Sequence, residues 1–214
     1  MKGNVEDTYD TILLHSASYY GRPEMTRILL DHGVNSNAKN HRGGAALHMV
    51  SRGRYDSEDG VRTTQLLLAS GADVNTQDND NDSPLHTASY NGKAAIARVL
   101  LDHGGKLDSK NDLGETPLHK VSQGEYESQA DGVHVANLLL GRGVGANARD
   151  KNGVTPLHLA SWSGKLEIAR LLVEHAALRN DRVHTQLNVD LEGEYSLKKI
   201  ILVLLTSFRA HRGL

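Results

Sequence analysis

The chain contains no cysteine, which removes disulfides, thiolate nucleophiles and thiolate metal ligands together and fits a reducing compartment. Aromatic residues make up only 4% of it, seven Tyr, one Trp and one Phe, so any place where they gather carries information. There are four prolines, and three of them, Pro84, Pro117 and Pro156, stand in the same tripeptide. An excess of charge of either sign is also missing: 24 Lys and Arg face 26 Asp and Glu, for a net charge of -2. Without a positive field there is nothing to neutralise phosphates and release their counterions, so nucleic acid is not an expected partner. Long hydrophobic runs are absent too. The longest, Ile200 to Leu205, is far short of the ~20 residues that cross a bilayer. The opening MKGNVEDTYD lacks the apolar core of a secretory signal. Together these readings predict an intracellular protein, cytoplasmic or nuclear, with no membrane association. What is present is a 38% hydrophobic share with 21 glycines among 214 residues, enough to build a core.

The chain repeats itself, and a period of this kind decides the fold. Pro-Leu-His occurs at residues 84–86, 117–119 and 156–158, with two degenerate copies upstream. Anchored on the histidine, the copies sit at His15, His48, His86, His119 and His158, separated by 33, 38, 33 and 39 residues. The period is 33, with inserts in alternate units. At each unit's start, Thr116 or Thr155 offers a hydroxyl to the unpaired amides of a helix, followed by a proline whose missing N–H costs nothing there. A second segment has apolar residues at helical spacing, as in Ile96, Val99 and Leu100 or Met25, Ile28 and Leu29. It stops at Gly33, Gly71, Gly104 and Gly143, where a left-handed residue closes a helix. Connectors such as Asn111-Asp112-Leu113-Gly114 and Asp150-Lys151-Asn152-Gly153 place Gly where a tight turn needs positive φ. Asn81 fills that slot in the third unit and Asp10 in the first, both residue types that tolerate left-handed geometry.

Helix, turn, helix and hairpin-type turn at period 33, carrying Thr-Pro-Leu-His-x-Ala or -Val and then Leu-Leu-x-x-Gly, resembles the ankyrin repeat. The resemblance covers about residues 7–181 in five units, 7–39, 40–77, 78–110, 111–149 and 150–181. It implies an all-α solenoid whose first helices and hairpin tips line a concave face, with the second helices behind. It also implies protein recognition without catalysis or cofactor, by a monomer whose partner the sequence does not name. Some positions depart from the pattern. Ala45-Ala46 replaces Thr-Pro in the second unit, an expected cost of about 1 kcal/mol in lost capping. Ile12-Leu13 stands there in the first. Ala176 replaces the terminating Gly of the fifth, where a left-handed alanine costs roughly 1 to 2 kcal/mol, so the array is expected to loosen. Residues 182–214 lose the pattern. Leu197, Ile201, Leu204 and Phe208 fall on one helical stripe, which reads either as a capping helix over about 195–209 or as an unrelated terminus.

Several motifs invite chemistry and do not sustain it. Packed helices lie about 8 to 10 Å apart, whereas zinc holds each ligand nitrogen at about 2.1 Å, so successive repeat histidines do not share an ion. They are expected to bond backbone within their own units. His32, His103 and His175 sit one residue before a helix terminus, where a partly charged imidazole favours the dipole. Asp78-Asn79-Asp80-Asn81-Asp82 opens like a calcium loop, but Ser83 occupies the required Gly slot and Ser89 the bidentate Glu slot. Gly141-Arg142-Gly143-Val144-Gly145 ends a helix instead of leading into one, unlike a phosphate loop. The sequon Asn81-Asp82-Ser83 is followed by Pro84 and has no secretory signal to serve it. No nucleophile, base and orienting group converge, and repeated slots build surfaces more readily than single active sites.

The aromatics do gather. Six of the nine fall where the first helix of a unit meets the second: Tyr19, Tyr20, Tyr55, Tyr90, Tyr126 and Trp162. Tyr and Trp are enriched in binding hot spots because they offer large area at little rotamer cost. They form either a binding ladder, with Asn91 beside Tyr90, or the packed edge of the array itself. The inserts repeat as well: Gly53-Arg54-Tyr55-Asp56-Ser57 matches Gly124-Glu125-Tyr126-Glu127-Ser128, a duplication of about 71 residues that either extends the groove or is simply inherited, since lengthening a loop costs only about 0.6 kcal/mol per doubling. Tip charge runs from His41 and Arg42, through Asp80 and Asp82, to Asp112 and Glu115 beside Leu113, and then to Lys151. That alternation suits a partner of mixed charge.

Overall fold

The computed structural model describes residues 9–53, 57–126 and 128–183, the side chains of the last seven excepted. Among them lie five helix pairs: α1 (Tyr9–Tyr19) with α2 (Pro23–Asp31), α3 (Ala46–Arg52) with α4 (Glu58–Ala69), α5 (Pro84–Tyr90) with α6 (Ala94–Asp102), α7 (Pro117–Gln123) with α8 (Gln129–Gly141), and α9 (Pro156–Trp162) with α10 (Leu166–Val183). The odd-numbered helices pack on one another in chain order as one layer, and the even-numbered helices as a second layer. The all-helical architecture expected from the period is present. The inferred helix over 195–209 lies outside the described residues.

The core runs between the layers as a leucine column. Leu14, Leu47, Leu85 and Leu118 on first helices meet Leu67, Leu100, Leu139 and Leu172 on second helices, none more than 1% exposed. Each such burial is worth about 1.5 to 3 kcal/mol. Second helices end as the sequence implies. Gly33, Gly71, Gly104 and Gly143 have φ between 83° and 92°, and the following amides of Val34, Ala72 and Gly105 return to the carbonyls of Leu29, Leu67 and Leu100 at 2.9–3.1 Å. Ala176 departs from the expectation: α10 runs through it to Val183, so it takes no left-handed turn. A helical alanine removes the cost that a left-handed one carries.

The starts of the first helices also correct the sequence reading. Threonine oxygens do not cap the amides of α7 and α9; the hydroxyls of Thr116 and Thr155 lie 2.9 and 2.8 Å from Nδ1 of His119 and His158. The histidine performs the capping. Nδ1 of His48, His86, His119 and His158 accepts the backbone N–H of the residue three before it, at 3.1–3.3 Å. Because Ala45 donates its amide just as Thr116 does, the second unit keeps this bond without Thr-Pro.

The expected bond within one unit is made by His15, whose Nε2 lies 3.0 Å from the Ala38 carbonyl, but three of the later rings couple neighbouring units instead. Nε2 of His48, His86 and His119 donates to the carbonyls of Asp82, Glu115 and Val154, each in the next unit, at 2.9–3.2 Å. Each of these carbonyls closes a hairpin turn. There Asn40, Asp78, Asn111 and Asp150 each use one side-chain oxygen to accept the amides two and four residues on, at 2.8–3.0 Å. Gly43, Asn81, Gly114 and Gly153 take the positive φ that the turn demands. Asp10 is not in such a turn; it lies inside α1, so the first unit has no described tip. The tips are themselves linked, Asn79, Asp112 and Lys151 donating backbone N–H to the carbonyls of Arg42, Asp80 and Leu113 at 3.0 Å.

Burial holds His48, His86 and His119 below the usual imidazole pKa of 6.5, and the Nδ1 acceptor role requires the neutral ring. Above pH 6.5 both folded and unfolded chains carry these rings neutral, so stability is full. Below it the unfolded chain takes up protons that the native rings refuse, at up to about 1.4 kcal/mol per pH unit for each histidine. The urea midpoint is therefore expected to fall between pH 7.5 and pH 5.5; a flat profile contradicts the buried-neutral assignment.

A second lattice joins the far sides of the units. Asn37 and Asn75 donate Nδ2–H to the carbonyls of Gly71 and Gly104 at 2.9 and 3.0 Å, while their Oδ1 atoms accept the amides of Asp73 and Lys106. The next residue in register is Asp108, a carboxylate where the two preceding units have an amide.

Candidate interaction surface

Each first helix ends on the residue four after its histidine, which makes a column of Tyr19, Arg52, Tyr90, Gln123 and Trp162. The aromatic members were legible from the sequence; Arg52 and Gln123 were missed because the inserts hide their register. Trp162 is 44% exposed, with its ring centroid 6.1 Å from that of His158. Tyr19 is half-buried and meets Tyr20 edge-on at 5.2 Å. Tyr20 is 55% exposed, with the Arg22 guanidinium 5.5 Å from its ring centre. Tyr90 is half-buried, and burial, then the Glu125 carboxylate, raises its phenol pKa. Asn91 ends α5 and donates Nδ2–H to the Thr87 carbonyl at 2.7 Å. Tyr55 lies outside the described residues.

Tyr126 is an exception to the exposed-ladder expectation. Its ring packs against the core, in a seat so tight that a Cβ on Gly92, Gly124 or Gly132 would collide with it. Its hydroxyl donates to the Val121 carbonyl, burial pushes its pKa upward, and the Lys165 ammonium sits 4.3 Å from the ring centre. Tyr126 therefore fastens the insert of its unit to the array. Its hydroxyl does not point outward.

The tips divide in the same way. His41, Arg42, Asp80, Asp112, Leu113 and Lys151 are exposed, Leu113 by 56%. Asp80, Asp112 and Lys151 follow one another along the tip ladder, and Asn81 Nδ2 donates to the Asp112 carboxylate at 2.6 Å. Asp82 and Glu115 face inward. Lys120 on α7 places Nζ 3.2 Å from Asp82 and 3.0 Å from Glu115. Asn111 donates to both carboxylates, at 2.9 and 3.1 Å, and Gln123 donates to Glu115 at 3.1 Å. Glu115 is only 5% exposed, so its carboxylate serves this network and is not an open tip charge. Burial works against the Lys120 ammonium, yet the two carboxylates outweigh it and hold its pKa above the ordinary value. Burial likewise opposes the Glu115 carboxylate, and Lys120, Asn111 and Gln123 outweigh it to hold that pKa low.

This network fixes the bases of two successive tips to one first helix. A sequence signal for it exists: one residue after the repeat histidine stand Ser16, Met49, Thr87, Lys120 and Leu159, a column with a single charge. Nothing in that column alone says which carboxylates the lysine meets. The other acidic and glycine-rich motifs are likewise turned to structure. One oxygen of Asp78 serves its own turn, and Arg142 caps α8 and pairs with Asp102 at 2.6 Å. Among the described residues no group of three or more His, Cys, Asp and Glu stands together as a metal site. No described helix is long and apolar enough to cross a membrane.

Lys120→Met removes the cation from between two inward carboxylates and leaves Glu115 buried and charged, a loss expected to reach about 3 kcal/mol. Adding Glu115→Gln should recover part of it. Denaturant unfolding of the two variants checks this, and a Lys120→Met chain as stable as the parent refutes the account of the network.

The chain matches the family model for ankyrin repeats in three copies over residues 55–130 and 126–194, and that for ankyrin repeats in many copies over residues 14–59. It is 31% identical over 175 residues to the ankyrin repeat protein nuc-2 of Neurospora crassa, covering 80% of this chain and 15% of that protein. It is 30% identical over 168 residues to the E3 ubiquitin-protein ligase KEG of Arabidopsis thaliana, covering 71% and 10%. With a transient receptor potential cation channel subfamily A member 1 homolog of Caenorhabditis elegans it shares 27% over 168 residues, covering 78% and 13%. The chain thus spans about a tenth to a seventh of the length of these relatives. With five helix pairs in register and these matches along most of its length, the chain belongs to the ankyrin repeat family.

Proposed function

We propose that this chain is a non-catalytic recognition platform that binds a protein partner across the tip ladder and the ends of the first helices. Ankyrin repeats generally mediate protein–protein interaction, and the local chemistry supports the same use. The observation that carries the reading is the set of large side chains exposed along the tips and the ends of the first helices: Tyr20, Leu113 and Trp162 are 44–56% exposed, on a frame bonded from unit to unit. Such anchors need little reordering on binding, which is where affinity is otherwise lost. Around them His41, Arg42, Asp80, Asp112 and Lys151 present charge of both signs, suited to a partner of mixed charge. Recognition of this kind needs no cofactor, and the array acts as a monomer.

A second reading has its own support. The relatives are several times longer than this chain, so the array can serve as the recognition segment of a larger protein, docked on or recruiting for a neighbouring unit. Both readings place the contact chemistry on exposed side chains.

The test is capture from native lysate by the immobilised chain, compared with a variant carrying Tyr20→Ala, Leu113→Ala and Trp162→Ala. All three side chains are exposed, so circular dichroism and the melting midpoint should stay unchanged. A retained protein should lose about tenfold or more in affinity, as hot-spot truncation does. Equal retention by the folded variant rejects this surface.

A further inference from the structure

Asparagine followed by glycine occurs twice in the chain, at Asn91-Gly92 and Asn152-Gly153. Both glycines take a positive φ, 68° and 77°, so neither the dipeptide nor the glycine conformation tells the two pairs apart. Their surroundings do. In such a pair the glycine amide nitrogen is able to attack the carboxamide carbon of the asparagine side chain, because a residue without Cβ leaves the approach open. The attack requires the carboxamide to swing onto the following amide, and it requires that amide to lose its proton.

The first pair is held against this movement. Asn91 Nδ2 donates to the Thr87 carbonyl at 2.7 Å, which turns the carboxamide back along α5 and away from Gly92. Gly92 is buried, and a Cβ on it would stand 2.9 Å from Asp131 and 3.1 Å from Tyr126, so the backbone has no room to rearrange. The second pair is open. Asn152 is exposed; its backbone N–H is bonded to the Asp150 carboxylate at 2.8 Å, but among the described residues its carboxamide makes no hydrogen bond. Around Gly153, its chain neighbours aside, the atom nearest to the place of a Cβ is on the Arg149 guanidinium, 3.7 Å away. That guanidinium donates to the Gly153 carbonyl at 3.0 Å, and a cation beside the residue whose amide must ionise favours the anion. The Gly153 N–H donates to the Asp150 carbonyl at 3.1 Å, a single turn bond at an exposed tip, which opens locally without disturbing the core.

We infer that Asn152 is a site of spontaneous covalent modification, converted to aspartyl and isoaspartyl residues in the folded chain while Asn91 persists. The Gly153 nitrogen, having lost its proton, forms a bond to Cγ of Asn152. Nδ2 takes up a proton and leaves as ammonia, and a five-membered cyclic imide remains. Water then adds to one of the two imide carbonyls and that carbon's bond to nitrogen breaks. Opening at Cγ gives aspartate; opening at the backbone carbonyl gives isoaspartate, whose chain runs through the former side chain and is one carbon longer. Either product sets a negative charge next to Lys151. The longer backbone also separates the amides of Asn152 and Val154, which one Asp150 oxygen now joins. The modification does not depend on the partner surface proposed above, so each can fail alone.

The full chain tests it without a partner. Folded protein and protein unfolded in urea are incubated side by side at pH 8 and 37 °C, then digested and mapped by mass spectrometry against unincubated samples. In the folded chain the peptide carrying Asn152 is expected to gain one mass unit and to separate into two chromatographic peaks, while the peptide carrying Asn91 keeps its mass. In urea both peptides convert, because the folded surroundings that protect Asn91 are gone. Asn152→Gln, which keeps a carboxamide but places it one carbon further from the Gly153 amide, abolishes the gain. Persistence of Asn152 in the folded chain overturns the inference, as does conversion of Asn91 and Asn152 at equal rates in the folded chain.

Discussion

In three successive units one imidazole, that of His48, His86 or His119, holds this array in register. It accepts an amide from the start of its own first helix through Nδ1 and donates through Nε2 to the carbonyl that closes the next hairpin turn. Because both nitrogens are used, the ring is fixed in orientation and in tautomer, and because it is buried, it is kept neutral. A helix of seven residues such as α5 is far too short to be stable alone. It forms here because its first turn is capped from within and its neighbour is bonded across the gap. Local structure and long-range order are set by the same side chain.

That coupling explains why the array can present side chains precisely without spending them on its own fold. The tips stack through backbone bonds, their turns are closed by Asn or Asp oxygens, and Lys120 ties two of them to α7 through Asp82 and Glu115. Outward along the tips and the ends of the first helices stand Tyr20, Leu113 and Trp162, with charges of both signs between them. Tyr126 illustrates the opposite use. The same residue type, one insert along, is seated among glycines and serves to hold its loop.

Much of this was legible in the sequence, because a repeated position is read five times over. The helix pairs, the terminating glycines and the Asn81 turn follow from local chemistry that each unit restates. The misreadings arose where a local rule met a partner from another unit. Thr116 and Thr155 follow the pattern of amide caps, yet a histidine three residues on competes for that role. Glu115 has the sequence of an exposed tip and is turned inward by a lysine five residues later. Asp10 resembles a turn residue, but with no described tip before it α1 simply extends through it. Ala176 matches a terminator slot, and an alanine is free to continue the helix where a glycine stops it. Each is a case of tertiary context deciding between two locally acceptable conformations.

The measurement that tests this account most directly is the tautomer of the repeat histidines, read by nitrogen-15 to proton correlation through two and three bonds at pH 7.5. His48, His86 and His119 are each expected to carry one proton, on Nε2, in slow exchange with solvent. Finding that proton on Nδ1, or rapid exchange between the two nitrogens, would contradict the bridging bonds on which the rest of the array depends.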